Sequence, residues 1–308
     1  MNLKQTPMAE NSPKFLDPRT LAKLHGLSLR ARHIVEGFVS GLHRSPFRGF
    51  SIEFAEHREY SPGDDLRYVD WKVFGRTDKF YLKQYEDETN LLCYLVVDAS
   101  ESMRYRGPDS PLSKWEYAQC LAAALTWLVL QQQDAVGLAV FDRELRTYLR
   151  PSSTPQQLKQ VLYVLESAET DKKTATGPIF HELAERFKKR GVVIVLSDFF
   201  DDTASILAGL KHFRHRRHDV VLSHVLDAAE IDFPFQNQML FRGLEQMPEL
   251  VTDPRSLRRA YLEEFQTFLT ALRKGCRAHQ MDYALMRTDR PFDTALASYL
   301  AERASNVK

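Results

Sequence analysis

Apolar residues along this chain gather into short, nearly unbroken runs separated by longer segments of helical spacing. The sharpest run is LLCYLVV, residues 91–97. Runs of this kind, bounded by polar residues, read as strands buried on both faces. Residues 135–141 and 192–196 repeat the pattern, and 220–226 and 283–286 add two more. Between them lie helix-forming segments at about 114–133, 156–167, 178–190 (with Pro178 in its first turn), 203–217, from Asp253-Pro254 to about His279, and 294–303. In the first, Trp115, Ala118, Leu121, Ala122, Leu125, Leu128 and Val129 form a wide apolar face. In the long one, Leu257, Tyr261, Phe265, Phe268, Leu272 and Cys276 share a face. Residues 145–149 follow the tight turn Asp142-Arg143-Glu144 and read as a strand pairing back antiparallel. Strands alternating with helices predict an α/β fold, a doubly wound and mostly parallel sheet flanked by helices.

Upstream the pattern changes. Residues 1–17 are polar with two prolines and read as a flexible tail. From Asp17-Pro18, Leu21, Leu24, Leu27 or Leu29, Ile34, Val35 and Phe38 recur at helical spacing, weakened at the end by Gly37 and Gly41. Residues 45–88 hold short strands at 51–54 and 79–84 and a turn at Ser61-Pro62-Gly63-Asp64. Charges of both signs crowd this segment, and Arg58 and Arg67 are expected to pair with nearby carboxylates, because unpaired charges beside Trp71 would be costly to bury. The expected organisation is a tail (1–17), a small α+β accessory region (18–90) and an α/β domain (91–308).

Composition narrows the function classes. The 308 residues are 44% hydrophobic and 27% charged with a net charge of +1, an ordinary globular balance with no bulk attraction to nucleic acid or anionic membrane. The longest apolar run, 120–130, is too short to span a bilayer, and the start lacks the pattern of a signal peptide. Cys93, Cys120 and Cys276 are scattered inside apolar patterns, which fits reduced core thiols in a cytosolic protein and excludes a zinc-ligand spacing.

Candidate chemistry lies where the strands end. After the first core strand come Asp98, Ser100 and Ser102, a D-x-S-x-S spacing that can aim one carboxylate and two hydroxyls at one small volume. The strand at 192–196 ends at Ser197-Asp198, and the loop 169–177 brings Thr174 or Thr176. Parallel strands joined by helices share their carboxyl ends, where open α/β sheets bind ligands. Hard oxygen donors that leave room for water suit Mg²⁺ or Mn²⁺, although Asp and Ser also serve as ordinary caps. No G-x-G-x-x-G follows the first strand, and neither G-x-x-x-x-G-K-[ST] nor G-x-S-x-G occurs, so nucleotide sites of those types and a serine elbow are unsupported. His181, His212, His215, His218 and His224 are acid/base candidates. Those within 211–218 sit among Arg214, Arg216 and Arg217 and read as a solvated basic patch that could meet an acidic partner or phosphate.

The order D-x-S-x-S, threonine loop, then S-D resembles a von Willebrand factor A domain. The upstream block resembles the signature of the DUF58 family of prokaryotic proteins, with matches at Glu56, Arg58, Tyr60, Pro62, Gly63, Asp64, Asp65, Arg67, Asp70 and Trp71; the phrase VVIVLSDFFD, 192–201, matches too. The resemblance implies a metal-dependent interaction module rather than an enzyme. In it Ser100, Ser102 and Thr176 would bind Mg²⁺ or Mn²⁺ directly, Asp98 and Asp198 would hold it mostly through water, and a partner's Asp or Glu would fill the open position of this metal-ion-dependent adhesion site. It also implies a MoxR-type AAA+ ATPase, or its substrate, as partner, with the chain as adaptor. The pattern departs at Thr174-Ala175, where the family usually has Gly-Gly. Many relatives have transmembrane helices and this chain shows none, so the expected location is cytoplasmic. The rival reading is a metal-dependent hydrolase or nuclease using Asp98 and Asp198 with Asp201 or Asp202. A purely structural scaffold is a third.

Overall fold

A computed structural model of the chain describes residues 18–42, 57–59, 81–83, 91–170, 176–237, 239–241 and 250–292. Two compact units emerge, one formed by Met1–Gly41 with Leu91–Lys308, the other by Leu42–Asn90.

The described elements run α1 (Pro18–Leu21), α2 (Leu27–Leu42), β1 (His57–Glu59), β2 (Tyr81–Lys83), β3 (Leu92–Asp98), α3 (Lys114–Gln131), β4 (Ala135–Phe141), β5 (Leu145–Ser152) and α4 (Pro155–Ser167). They continue with α5 (Thr176–Arg186), β6 (Val192–Ser197), α6 (Thr203–His215), β7 (Asp219–Leu226), α7 (Ala228–Asp232), β8 (Met239–Phe241), β9 (Leu250–Thr252), α8 (Pro254–Ala278) and β10 (Asp282–Arg287). A 3-10 turn at Glu101–Arg104 follows β3.

The large unit is built on a six-stranded sheet of order β10-β7-β6-β3-β4-β5, parallel except for edge strand β5, which runs antiparallel to β4. The chain leaves β3 toward β4 on one side and returns to β6 on the other. The carboxyl ends of β3 and β6 therefore flank the crevice at which doubly wound sheets take their ligands. One face of the sheet, through Tyr94, Val96, Val193, Val195, Val220 and Leu222, packs in the main core cluster with residues of α5, α6 and α8. Helix α3 packs along β3 and β4 and against α4. It starts on a capping box in which Ser113 and Glu116 satisfy each other's backbone N–H groups.

Helix α3 is buried on nearly all sides, from Trp115 through Val129, and α2 belongs to the same unit. The Leu27 amide donates to Glu166 Oε1 of α4 at 3.1 Å, and the positive charge of Arg30 acts on the Cys120 thiol of α3, opposing the effect of burial. The accessory region expected over 18–90 is thus divided, with α1 and α2 packed in the large unit and Leu42–Asn90 forming its own. The Leu27/Leu29 alternative resolves in the same way: Leu27 is buried and Leu29 is 50% exposed.

Within Leu42–Asn90, β1 and β2 pair antiparallel with Arg58 opposite Leu82. The strand expected at 51–54, most of the DUF58-type signature, the side chains of Arg58 and Arg67, and the helix expected at 294–303 lie outside the described residues.

Other boundaries moved. β5 extends to Ser152, carrying Pro151 at a sheet edge where a missing N–H costs no ladder bond. α5 spans Thr176–Arg186 rather than 178–190. Thr154 is the N-cap of α4, but its side chain makes no capping bond. The basic patch is smaller than expected: His218 is buried against the rings of Tyr94, Phe187 and Phe213. Arg214 pairs with Asp219 and Arg216 with Glu185. Arg217, at a φ of 64°, turns the chain inward just before His218.

Candidate functional site

Strand β3 places its last residue, Asp98, at the carboxyl edge beside the end of β6. Val97 lies opposite Leu196 in the ladder, so Asp98 meets Ser197 and Asp198 follows just beyond. Asp98, Ser100, Ser197 and Asp198 are wholly buried and Ser102 nearly so. Asp98 Oδ1 accepts from the Ser100 amide at 2.8 Å, and Oδ2 accepts from the Ser197 hydroxyl at 2.5 Å. Ser197 Oγ in turn accepts from the Phe199 amide at 2.9 Å. Ser100 Oγ and Ser102 Oγ are 3.0 Å apart. The strands thus bring together four of the five residues that the sequence singled out as metal ligands. Thr176, the fifth, opens α5; its side chain, and all of Thr174, lie outside the described residues.

Asp98 has no cationic partner among the described residues. Burial first, and then the charge of Asp198, push its carboxyl up to about 7, against the pull of the Ser197 and Ser100 hydrogen bonds. Asp198 is different. Its Oδ2 accepts from Lys114 Nζ at 2.7 Å, and the same ammonium reaches Glu230 Oε1 at 2.6 Å. Lys114 is the first residue of α3, wholly buried, with Nζ 4.6 Å from the Phe200 ring centroid. Burial pulls its pKa down, but Asp198 and Glu230 together more than offset this, so it stays charged. Burial raises Glu230 while Lys114 works the other way, and the short contact favours the ion-paired form.

The chain must turn sharply to aim Asp198 inward. Phe199 takes a φ of 51° while fully buried, a left-handed conformation that a bulky residue holds only where its surroundings fix it. The Asp198 carbonyl is 2.8 Å from His224 Nε2, and His224 Nδ1 is 2.7 Å from the Tyr283 hydroxyl. Burial drives His224 down to about 3, so the imidazole is neutral. Asp202, a ligand in the hydrolase reading, is instead the N-cap of α6, accepting from the Ser205 amide at 2.8 Å.

Sequence reasoning missed Lys114, Glu230 and the role of Ser197. In the sequence Lys114 marks only the start of the helical segment 114–133. The donor set left around Asp98 is all oxygen: one carboxylate without a counter-ion and two hydroxyls. That set fits Mg²⁺ or Mn²⁺.

The sequence profile described as "Protein of unknown function DUF58" matches residues 56–268. The chain is 25% identical to the uncharacterized protein Rv1480 of Mycobacterium tuberculosis, over 98% of this chain and 97% of that protein. Among solved structures it is similar to an aerotolerance-related membrane protein from Bacteroides fragilis, with 19% identity, a TM-score of 0.46, and coverage of 69% of this chain and 98% of that one. It is also similar to the VWA domain of SpRpn10, with 10% identity, a TM-score of 0.37, and coverage of 68% and 95%. The cytoplasmic location expected from the sequence does not stand. The Bacteroides fragilis structure is described as that of a membrane protein. No helix of the described residues is long and apolar enough to cross a membrane.

Proposed function

Because the chain belongs to the DUF58 family, described as of unknown function, we propose its role from the carboxyl edge of its sheet: a protein-interaction module that docks a partner's Asp or Glu through a divalent cation. The observation that carries this reading is Asp98, a buried carboxylate with no cationic partner among the described residues, set beside the paired hydroxyls of Ser100 and Ser102. Uncompensated buried charge is costly, and either a proton or a cation relieves the cost. Asp98, Ser100 and Ser102, with Thr176 as the family resemblance implies, would hold Mg²⁺ or Mn²⁺; Asp198, which the resemblance adds to the set, already faces the Lys114 ammonium. The bound ion would supply an open coordination position to an external carboxylate. The partner that the resemblance implies is a MoxR-type AAA+ ATPase or its substrate, with this chain as adaptor.

The hydrolase reading has less support. A general base must have a nitrogen or oxygen free to take a proton. His224 contacts the Asp198 carbonyl and the Tyr283 hydroxyl through its two ring nitrogens.

The test is calorimetric titration of Mg²⁺ and Mn²⁺ into the wild type and Asp98→Ala, both checked for folding by circular dichroism. Saturable binding that the variant loses supports the reading, and a pull-down of a MoxR-type ATPase with and without chelator then tests the partner. A folded wild type that binds neither ion at millimolar concentration refutes the metal site.

A further inference from the structure

Lys114 is a whole cation placed inside the candidate site. Its ammonium lies 2.7 Å from Asp198 and 2.6 Å from Glu230, and its side chain is fully buried. Asp198 is thereby engaged: Oδ2 holds the ammonium and Oδ1 accepts from the Phe200 amide at 3.3 Å. Asp98, across the same edge, has only neutral donors among the described residues. The two strand-end carboxylates, which the sequence presents as equivalent, are therefore in different electrostatic situations.

We propose that Lys114 is the built-in counter-ion of the Asp198 side of this site, so that a divalent cation is held from the Asp98–Ser100–Ser102 side and Asp198 is a positioning residue rather than a ligand. A divalent ion contacting Asp198 Oδ2 would have to share that oxygen with the ammonium, and two positive charges a few ångströms apart in a buried site repel strongly. Removing the ammonium reverses the situation. Asp198 and Glu230 then lack the ammonium they share, and two hard carboxylates without a counter-ion favour a divalent cation. Lys114 thus limits the affinity of the site and confines the ion to one side of it.

The inference rests on the metal reading above, and the experiment separates the two. Mn²⁺ binding is measured by titration, and thermal unfolding is followed with Mn²⁺ or chelator, for wild type, Asp98→Asn, Asp198→Asn, Lys114→Met and Lys114→Met/Asp198→Asn. Asp98→Asn is expected to abolish binding, and Asp198→Asn to leave affinity within about threefold of wild type. Lys114→Met is expected to unfold at lower temperature in chelator. Mn²⁺ should then raise its midpoint by about 5 °C more than it raises the wild type's, a gain that Asp198→Asn removes. If Asp198→Asn abolishes wild-type binding as fully as Asp98→Asn, the inference is overturned while the metal reading survives. If the wild type binds no Mn²⁺, the metal reading fails, and the Lys114→Met melts still decide whether the lysine stands in for a cation. A Lys114→Met chain that gains nothing from Mn²⁺ over wild type overturns the inference in either case. Should Lys114→Met not fold, Lys114→Met/Glu230→Gln carries one unpaired carboxylate fewer and takes its place in the same comparison.

Discussion

The Ser197 hydroxyl donates to Asp98 Oδ2 at 2.5 Å, linking the last residues of two adjacent parallel strands. Ser197 Oγ also accepts from the Phe199 amide, so one small side chain both orients the Asp98 carboxylate and fixes the left-handed turn after Asp198. Ser197→Ala removes both bonds in a place water does not reach. It is expected to lower unfolding free energy by about 1–3 kcal/mol in urea titrations. An unchanged midpoint would show that the turn holds without the hydroxyl.

The pH dependence follows from the directions of two shifts. Asp98 is pushed up to about 7, above its unfolded value, so the folded chain binds more protons than the unfolded chain between about 4 and 7. Its contribution therefore weakens as pH rises through that window, by up to about 1.4 kcal/mol per pH unit. His224 is pushed down to about 3, so its contribution is lost as pH falls below its unfolded value and opposes that of Asp98. The isolating measurement is the difference in stability between wild type and Asp98→Asn in chelator. That difference should shift in favour of Asp98→Asn from pH 5 to 7 and be flat from 7.5 to 8.5.

Helix α2 is expected to act as a cover for α3. Cys93, Cys120 and Cys276 are all free and buried, and burial raises the Cys120 thiol to about 11, with Arg30 of α2 opposing. Native wild type should leave all three thiols unlabelled by a chromogenic disulfide reagent over minutes. Ile34 is fully buried on α2. Ile34→Asp places an unpaired charge in its seat, which should undock the helix and speed Cys120 labelling about tenfold or more. Equal labelling rates would mean that α2 is dispensable to the large unit.

Gly191 leads into β6 where the backbone of β3 comes closest. A Cβ there would collide with the Leu92 carbonyl oxygen. Gly191→Ala is expected to cost about 1–3 kcal/mol of stability, because one of two paired strands must shift. Thermal unfolding measures the cost. An Mn²⁺ affinity retained by the folded fraction would show that the defect is one of packing at the far end of the strands from the site.

Much of this fold is legible in the local pattern. The runs that became β3, β4, β6 and β7 are apolar on both faces because helices cover both faces of the sheet, and that demand shows in each run by itself. The polar residues ending β3 and β6 could be assigned to one edge, since parallel connections leave no other arrangement. The wide apolar face of α3 was legible too, whereas its burial on nearly all sides was not. By contrast, nothing within a few residues of His218 distinguishes it from its exposed neighbours. Its burial depends on the turn at Arg217 and on rings contributed by β3, α5 and α6.

The sequence by itself determined the order of strands and helices and the delivery of Asp98, Ser100, Ser102 and Asp198 to one edge, because periodicity and strand-end polarity are local properties. The tertiary structure alone decided which carboxylate faces an ammonium. Lys114, Asp198 and Glu230 are far apart in the chain, and their meeting depends on how α3 and the residues after β7 settle against the sheet. A charge is paired or unpaired according to distances in space, and side-chain spacing along a sequence carries no record of those distances.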